Sequence, residues 1–151
     1  MSTKYAHTNI VSRDWKKLTD FYITVFDCKP VLPERDLSGD WLARATSLKN
    51  PHLRGMHLRL PGFGDNGPTL EVFQYDEMVE KSNPPYANRI GLGHLAFEVE
   101  DVNRTLELML KKDGNRLGEV IVQEIKGVGE ITFTYATDPE GNIIEIQSWK
   151  K

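Results

Sequence analysis

At 151 residues, 39% hydrophobic and 27% charged, the chain has the composition of a soluble globular protein of one ordinary domain, residues 1–151. A formal charge of −3, with 19 Lys and Arg scattered along the chain, offers no basic stripe for a phosphate backbone and argues against nucleic acid as a partner. No apolar run approaches the roughly 20 residues of a membrane helix, and MSTKYAHTNIV lacks the basic-then-apolar pattern of a secretory signal, so a cytoplasmic protein with no membrane partner is expected.

The first segment, YAHTNIVS at residues 5–12, is β-compatible, and its alternation sets Tyr5, His7, Asn9 and Val11 on one face against Ala6, Thr8 and Ile10 on the other. Asp14 or Ser12 can cap a helix over WKKLTDFYITVF, in which Trp15, Leu18, Phe21, Tyr22 and Val25 recur at helical spacing and Lys16, Lys17 and Asp20 are left to solvent. The single cysteine, Cys28, follows this helix; it has no partner for an internal disulfide and reads as a packing residue. Strands are expected near residues 29–36, 41–47 and 54–60, then over TLEVFQY at 69–75, punctuated by Pro33, Gly39, Pro51 and the loop PGFGDNGP. KSNPPYAN, residues 81–88, reads as a linker because its paired prolines lack backbone donors and fix the chain in extended or turn geometry.

The second half repeats the plan. GLGHLAFEV is a strand, Asp101 a cap, and VNRTLELMLKK a helix with Val102, Leu106 and Met109 on its apolar face, stopped at Gly114. EVIVQEI and ITFTYAT flank a turn at Gly127 and Gly129, and DPEGN turns the chain into the last strand, IIEIQSW. His94 follows His7 by the same interval as Asp101 follows Asp14, so the two halves align without a gap at their starts. The fold class expected is α+β, a βαβββ unit used twice, with module 1 at about residues 4–80, module 2 at about 89–149 and the first copy longer between its His and its Glu.

On TLEVFQY the alternation groups Glu71 with Phe73 and Tyr75, and on IIEIQSW it groups Glu145 with Ile143 and Gln147. Both carboxylates fall mid-strand, where a charge is costly unless it is paired or coordinates a metal. Taken one at a time, a strand histidine is usually hydrogen-bonded or half-exposed and a strand glutamate usually faces water. Taken as a pair of pairs at equivalent positions, His7, Glu71, His94 and Glu145 point to a divalent metal. Two imidazoles and two carboxylates suit Zn, Ni, Co, Fe(II) or Mn and leave room for water or substrate oxygens.

Other candidates are weaker. His57 shares its face with Arg59 in RGMHLRLP, an alternating charged pattern expected to face solvent, and His52 follows Pro51 in a turn; both read as structural or surface residues. PGFGDNGP lacks the Lys-Ser/Thr ending and following helix of a phosphate loop and reads as a hairpin turn. Arg44, placed in an early strand, and Arg89, just before the second-half strand, could hold a substrate anion, but surface roles are the ordinary expectation.

His7 in HTNIVSRDWKKLTDFY, Glu71 in LEVFQYD, His94 in GLGHLAFEVEDV and Glu145 in DPEGNIIEI together resemble the vicinal oxygen chelate superfamily, the glyoxalase I, bleomycin-resistance and dioxygenase group, over nearly the whole chain. The resemblance implies that the two modules form a curved mixed sheet around a cleft, where a metal chelates adjacent oxygens of a small-molecule substrate. Extradiol dioxygenases and fosfomycin-modifying enzymes of that superfamily typically use His, His and Glu, without a carboxylate at the position of Glu71. Four ligands resemble instead the isomerase branch, glyoxalase I above all, with methylmalonyl-CoA epimerase as a relative of the same plan. By that analogy Glu145 is the base that moves a proton next to a carbonyl, and Glu71 is a second ligand or proton partner. Glyoxalase I enzymes commonly place Arg four residues beyond the first His and Asn four beyond the first Glu to hold glutathione. Here those positions are Val11 and Tyr75, and with Phe73 and Phe133 nearby they favour a less anionic substrate. Relatives that sequester drugs without catalysis, and Fe(II) oxygenation of a catechol, are the competing implications. The superfamily also pairs modules within one chain or across two, and a homodimer is expected.

Overall fold

Two sheets, each with a helix laid over one face, carry the chain in the computed structural model, which describes residues 2–81 and 84–150. They fall in two units, Met1–Glu80 and Lys81–Lys151. In the first, β1 (His7–Val11) leads through α1 (Trp15–Phe26) to β2 (Lys29–Ser38), then α2 (Asp40–Thr46), β3 (His52–Arg59) and β4 (Thr69–Tyr75). In the second, β5 (Leu95–Glu98) leads through α3 (Val102–Lys111) to a short β6 (Asn115–Arg116), then β7 (Ile121–Ile125), β8 (Gly129–Thr137) and β9 (Ile143–Lys150). The class is α+β, as the two periodicities predict.

The strand orders match. The first sheet runs β1-β4-β3-β2 and the second β5-β9-β8-β6, with β7 also paired to β8; neither closes into a barrel. In each, the strand that opens the unit lies parallel to the strand that ends it, while the other pairs are antiparallel. A parallel pair cannot be joined by a tight turn, so the unit needs a crossover, and α1 or α3 supplies it. Both helices start on an aspartate whose carboxylate accepts from the backbone N–H three residues on, Asp14 from Lys17 and Asp101 from Arg104, each cap contributing about 1 kcal/mol. Leu18, Phe21 and Tyr22 of α1 are buried with Leu58, Leu70 and Val72 of the sheet, and Val102, Leu106 and Met109 of α3 with Ile144 and Ile146. Since alternate residues point to opposite faces, this leaves His7, Asn9, His57, Glu71 and Phe73 on the face of the first sheet away from α1.

Three sequence expectations are corrected. Residues 41–47 are not a strand: Asp40–Thr46 is a helix, and Arg44 lies on it, paired with Asp40 at 2.9 Å across one turn. Over seven residues the spacing of Trp41, Ala43 and Ala45 imitates strand alternation, whereas Ala, Leu and Arg are strong helix formers and Asp40 favours the helix start. Leu42 of α2 then packs on Leu53 and Phe73, with Tyr75 beside them, so the helix covers one end of the face that carries His57 and Glu71. The two-residue β6 is an addition to the expected βαβββ order. His57, third, is not a solvent-facing residue; its side chain is 17% exposed and faces Glu71. Of the expected linker at residues 81–88, Ser82 and Asn83 lie outside the described residues; Pro84 to Tyr86 have no regular structure, and Lys81 donates to the Glu140 carbonyl and the Asn142 side chain in the β8–β9 turn. PGFGDNGP is the hairpin loop expected, closed by the Leu60 N–H on the Pro68 carbonyl, with Gly62 and Gly64 at positive φ. No helix among the described residues is long and apolar enough to cross a membrane.

Candidate metal centre

Glu71 sits at the middle of the first sheet, on β4 between β1 and β3. Its Cα pairs with His57 on one side and Asn9 on the other. The carboxylate is 11% exposed, and its neighbours account for that burial. His57 Nε2 lies 2.7 Å from Oε2, the Asn9 amide donates to Oε1 at 2.9 Å, and His7 Nε2 stands 3.6 Å from Oε1. The two imidazoles meet edge to face at 5.6 Å, and His57 contacts Phe73 in the same manner at 6.0 Å. The other ring nitrogen of His57, Nδ1, is 3.1 Å from the Thr69 hydroxyl. Burial holds the His57 pKa below its ordinary value, opposed by Glu71 and helped by the nearby Arg35, His7 and Arg59; facing a carboxylate oxygen at 2.7 Å, Nε2 carries a proton and donates it to Glu71.

The second unit builds a related arrangement at the same register. Glu145 on β9 pairs with Ala96 on β5 and with Tyr135 on β8. Its side chain is 14% exposed; His94 Nε2 lies 3.1 Å from Oε2, and the Tyr135 phenol is hydrogen-bonded to the carboxylate. The Tyr135 ring packs on His94 at 5.1 Å and on Phe133 at 6.0 Å. Burial, then the Glu145 charge, raises the Tyr135 pKa, so the phenol keeps its proton and donates it in the hydrogen bond. β9 is held in place from its start: buried Asp138 accepts from the backbone N–H groups of Glu140 and Asn142 and from the Asn142 amide, which fixes the DPEGN turn.

All four predicted residues thus lie in His–Glu pairs, one pair in each unit, and sequence reasoning missed three residues beside them. Asn9 was legible two residues beyond His7 on the same strand face. Tyr135 lay in a strand already read, two residues past Phe133. His57 gave no such signal: only the observed closure of the loop at Leu60 and Pro68 puts residue 57 opposite residue 71. His52, read as lying in a turn, opens β3 and is partly buried, lying between Asp36 and Asp76 beside Arg54, and its hydrogen bond holds the Asp36 carboxyl below the usual range. Val11 is half-exposed, and Tyr75 packs against the Leu42 cluster.

The donor set fits a divalent ion. One ligand atom each from His7, His57 and Glu71 lie within 4.8 Å of one another, and donors held about 2.0–2.2 Å from a zinc-like ion stand roughly 3–4 Å apart.

No curated protein matches the chain. Among solved structures, a glyoxalase family protein from Bacillus cereus superposes with a TM-score of 0.84 at 16% identity, covering 100% of this chain and 97% of that one. A genomically encoded fosfomycin resistance protein from Listeria monocytogenes gives 0.61 at 14% identity, over 99% and 96%. A glyoxalase/bleomycin resistance protein/dioxygenase family enzyme from Burkholderia phytofirmans gives 0.59 at 15%, over 96% and 98%. At such identities the likeness is one of fold. The family model for the Glyoxalase/Bleomycin resistance protein/Dioxygenase superfamily matches residues 4–146, and with the repeated unit and its paired His and Glu residues this shows that the chain belongs to that superfamily, the vicinal oxygen chelate group.

Proposed function

We propose that the chain is a metal-dependent lyase or isomerase of glyoxalase type, acting on a small carbonyl substrate with adjacent oxygens, with His7, Glu71, His94 and Glu145 as ligands of one divalent ion. The observation that carries this reading is the register. Each unit sets an imidazole against a mid-strand carboxylate at the same place in the same sheet order. These residues would hold the ion, Zn, Ni, Co, Fe or Mn, and it would supply Lewis acidity toward the substrate carbonyl. Glu145 takes the proton from the carbon next to that carbonyl and returns it, and the Tyr135 phenol and His94 hold the carboxylate in one orientation while it does so. Glu71, fixed by Asn9 and His57, is the second ligand or the proton partner. The protein is read as a cytoplasmic homodimer whose substrate is less anionic than a glutathione adduct. Val11 and Tyr75 stand where the glutathione-holding residues of glyoxalase I would be.

The test is proton exchange. Chain loaded in turn with Ni(II), Co(II), Zn(II) and Mn(II) is incubated in D2O with adducts of a 2-oxoaldehyde and several thiols and with a 2-methyl-branched acyl-CoA thioester, and deuterium at the α carbon is followed by NMR. Exchange is expected with at least one substrate, and Glu145→Gln should slow it by about 10²–10⁴-fold. If no loaded form exchanges any substrate while Glu145→Gln binds an aromatic drug as tightly as the unaltered chain, the protein is a binding module. Oxygen uptake with a catechol by the Fe(II) form would make it an oxygenase. Sedimentation as a monomer at micromolar concentration would count against the dimer.

A further inference from the structure

Three adjacent strands of the first unit bring three donors together with no help from the second. β4 places Glu71 at the centre; β3 places His57 directly opposite it; β1 places His7 one pleat from Asn9 on the same face. The carboxylate is bracketed by the two imidazoles, at 2.7 Å from His57 and 3.6 Å from His7. It is not free to swing away, because the Asn9 amide holds Oε1. The Thr69 hydroxyl lies 3.1 Å from His57 Nδ1, on the side of the ring away from Glu71. An outer partner of this kind is what metal-bound imidazoles use to fix the tautomer and aim the other nitrogen at the ion. Among the described residues, these are the His, Cys, Asp and Glu side chains that meet the spacing of a metal cluster. At the register position of His57, the second unit has the phenol of Tyr135, a donor of a hydrogen bond.

We propose that the first unit holds a borderline divalent cation with side chains of its own, with His57 as a ligand beside His7 and Glu71 and Thr69 as the residue that positions it. The inference rests on the metal-dependent reading above and changes its balance. His57 joins the ligand set, and three residues of one unit suffice to keep the ion, while His94 and Glu145 add to a site that already exists. Two imidazoles and one carboxylate leave coordination positions open for the adjacent oxygens of a substrate.

Co(II) binding to the full chain tests this, read from visible absorption of the ion and from titration, with circular dichroism and thermal unfolding as controls for folding. The unaltered chain is expected to bind one Co(II). His57→Gln should weaken that binding by about 100-fold or more, beyond the 10–100-fold that loss of an outer partner costs, and Thr69→Val should weaken it by about tenfold. A chain carrying both His94→Ala and Glu145→Gln should keep one Co(II) with affinity within about tenfold of the unaltered chain. If His57→Gln binds as the unaltered chain does, or if the His94→Ala, Glu145→Gln chain loses the ion, the inference is wrong. Should His57→Gln fail to fold, that second chain decides alone. Binding that depends on His94 and Glu145 but ignores His57 overturns this inference and leaves the four-ligand reading standing; a chain that binds no Co(II) overturns both.

Discussion

The two units use one backbone plan to hold a mid-strand glutamate, buried in the first and partly buried in the second, and they surround it differently. In the first, Glu71 meets two imidazoles and an amide; in the second, Glu145 meets one imidazole and a phenol. The change comes from the paired strands: Asn9 corresponds to Ala96, and His57 to Tyr135. An imidazole can give up its ring proton to take a cation, whereas a phenol held above its ordinary pKa keeps its proton. The same register therefore sets a side chain able to ligate a cation beside one carboxylate and a phenol beside the other. A second exchange lies two residues away. Gly55 faces Phe73 in the first unit, and Phe133 faces Gln147 in the second, so the aromatic ring has moved to the neighbouring strand.

The largest expected effect comes from exchanging the paired residues. His57→Tyr, which gives the first unit the surroundings of the second, should lower Co(II) affinity by about 100-fold, or about 2.7 kcal/mol. Tyr135→His should raise it. Equal affinities in the two variants, measured by titration, would break the comparison at its centre.

Next is Gly55→Ala. A Cβ there would come within 2.0 Å of the Val72 carbonyl and 2.7 Å of the Phe73 ring, so β3 must shift against β4 close to His57. The expected cost is roughly 1–3 kcal/mol in a denaturant titration, with metal affinity falling alongside. The equivalent position in the second unit is Phe133, which is only partly buried.

The helix caps should show the halves as equals. Asp14→Ala and Asp101→Ala each remove one carboxylate that accepts from the third backbone N–H, and each should cost about 1 kcal/mol. A much larger loss in one unit would show that its crossover helix does more than cover the sheet.

An effect that is absent near pH 7 and appears only in alkali belongs to Cys28, which lies in the first unit alone. Burial, with Asp27 adding and Lys29 opposing, pushes its thiol up to about 12 from 9.0. Because the unfolded thiol ionises first, its contribution to stability is complete below the unfolded value and is lost as pH rises through the window between the two. Above about pH 9 the unaltered chain should therefore lose up to about 1.4 kcal/mol per pH unit relative to Cys28→Ala. Near pH 7 a thiol reagent should label Cys28 only on unfolding.

The sequence by itself determined what local patterns carry: the repeat, both crossover helices with their aspartate caps, the DPEGN turn and the recurrence of a His and a strand Glu in each half, His7 and Glu71, then His94 and Glu145. Hydrophobic period and capping chemistry act over one or two turns of chain, so they can be read there. α2 escaped because seven residues are too few to separate a helix from a strand by period alone. His57 escaped for another reason. Beside Arg59 it has the pattern of a solvated face, and only the pairing of β3 with β4 brings it against a carboxylate. Tertiary structure decided that contact, along with the Asn9 and Tyr135 hydrogen bonds, because strand register is set by the packing of a whole sheet under its helix and not by any one strand.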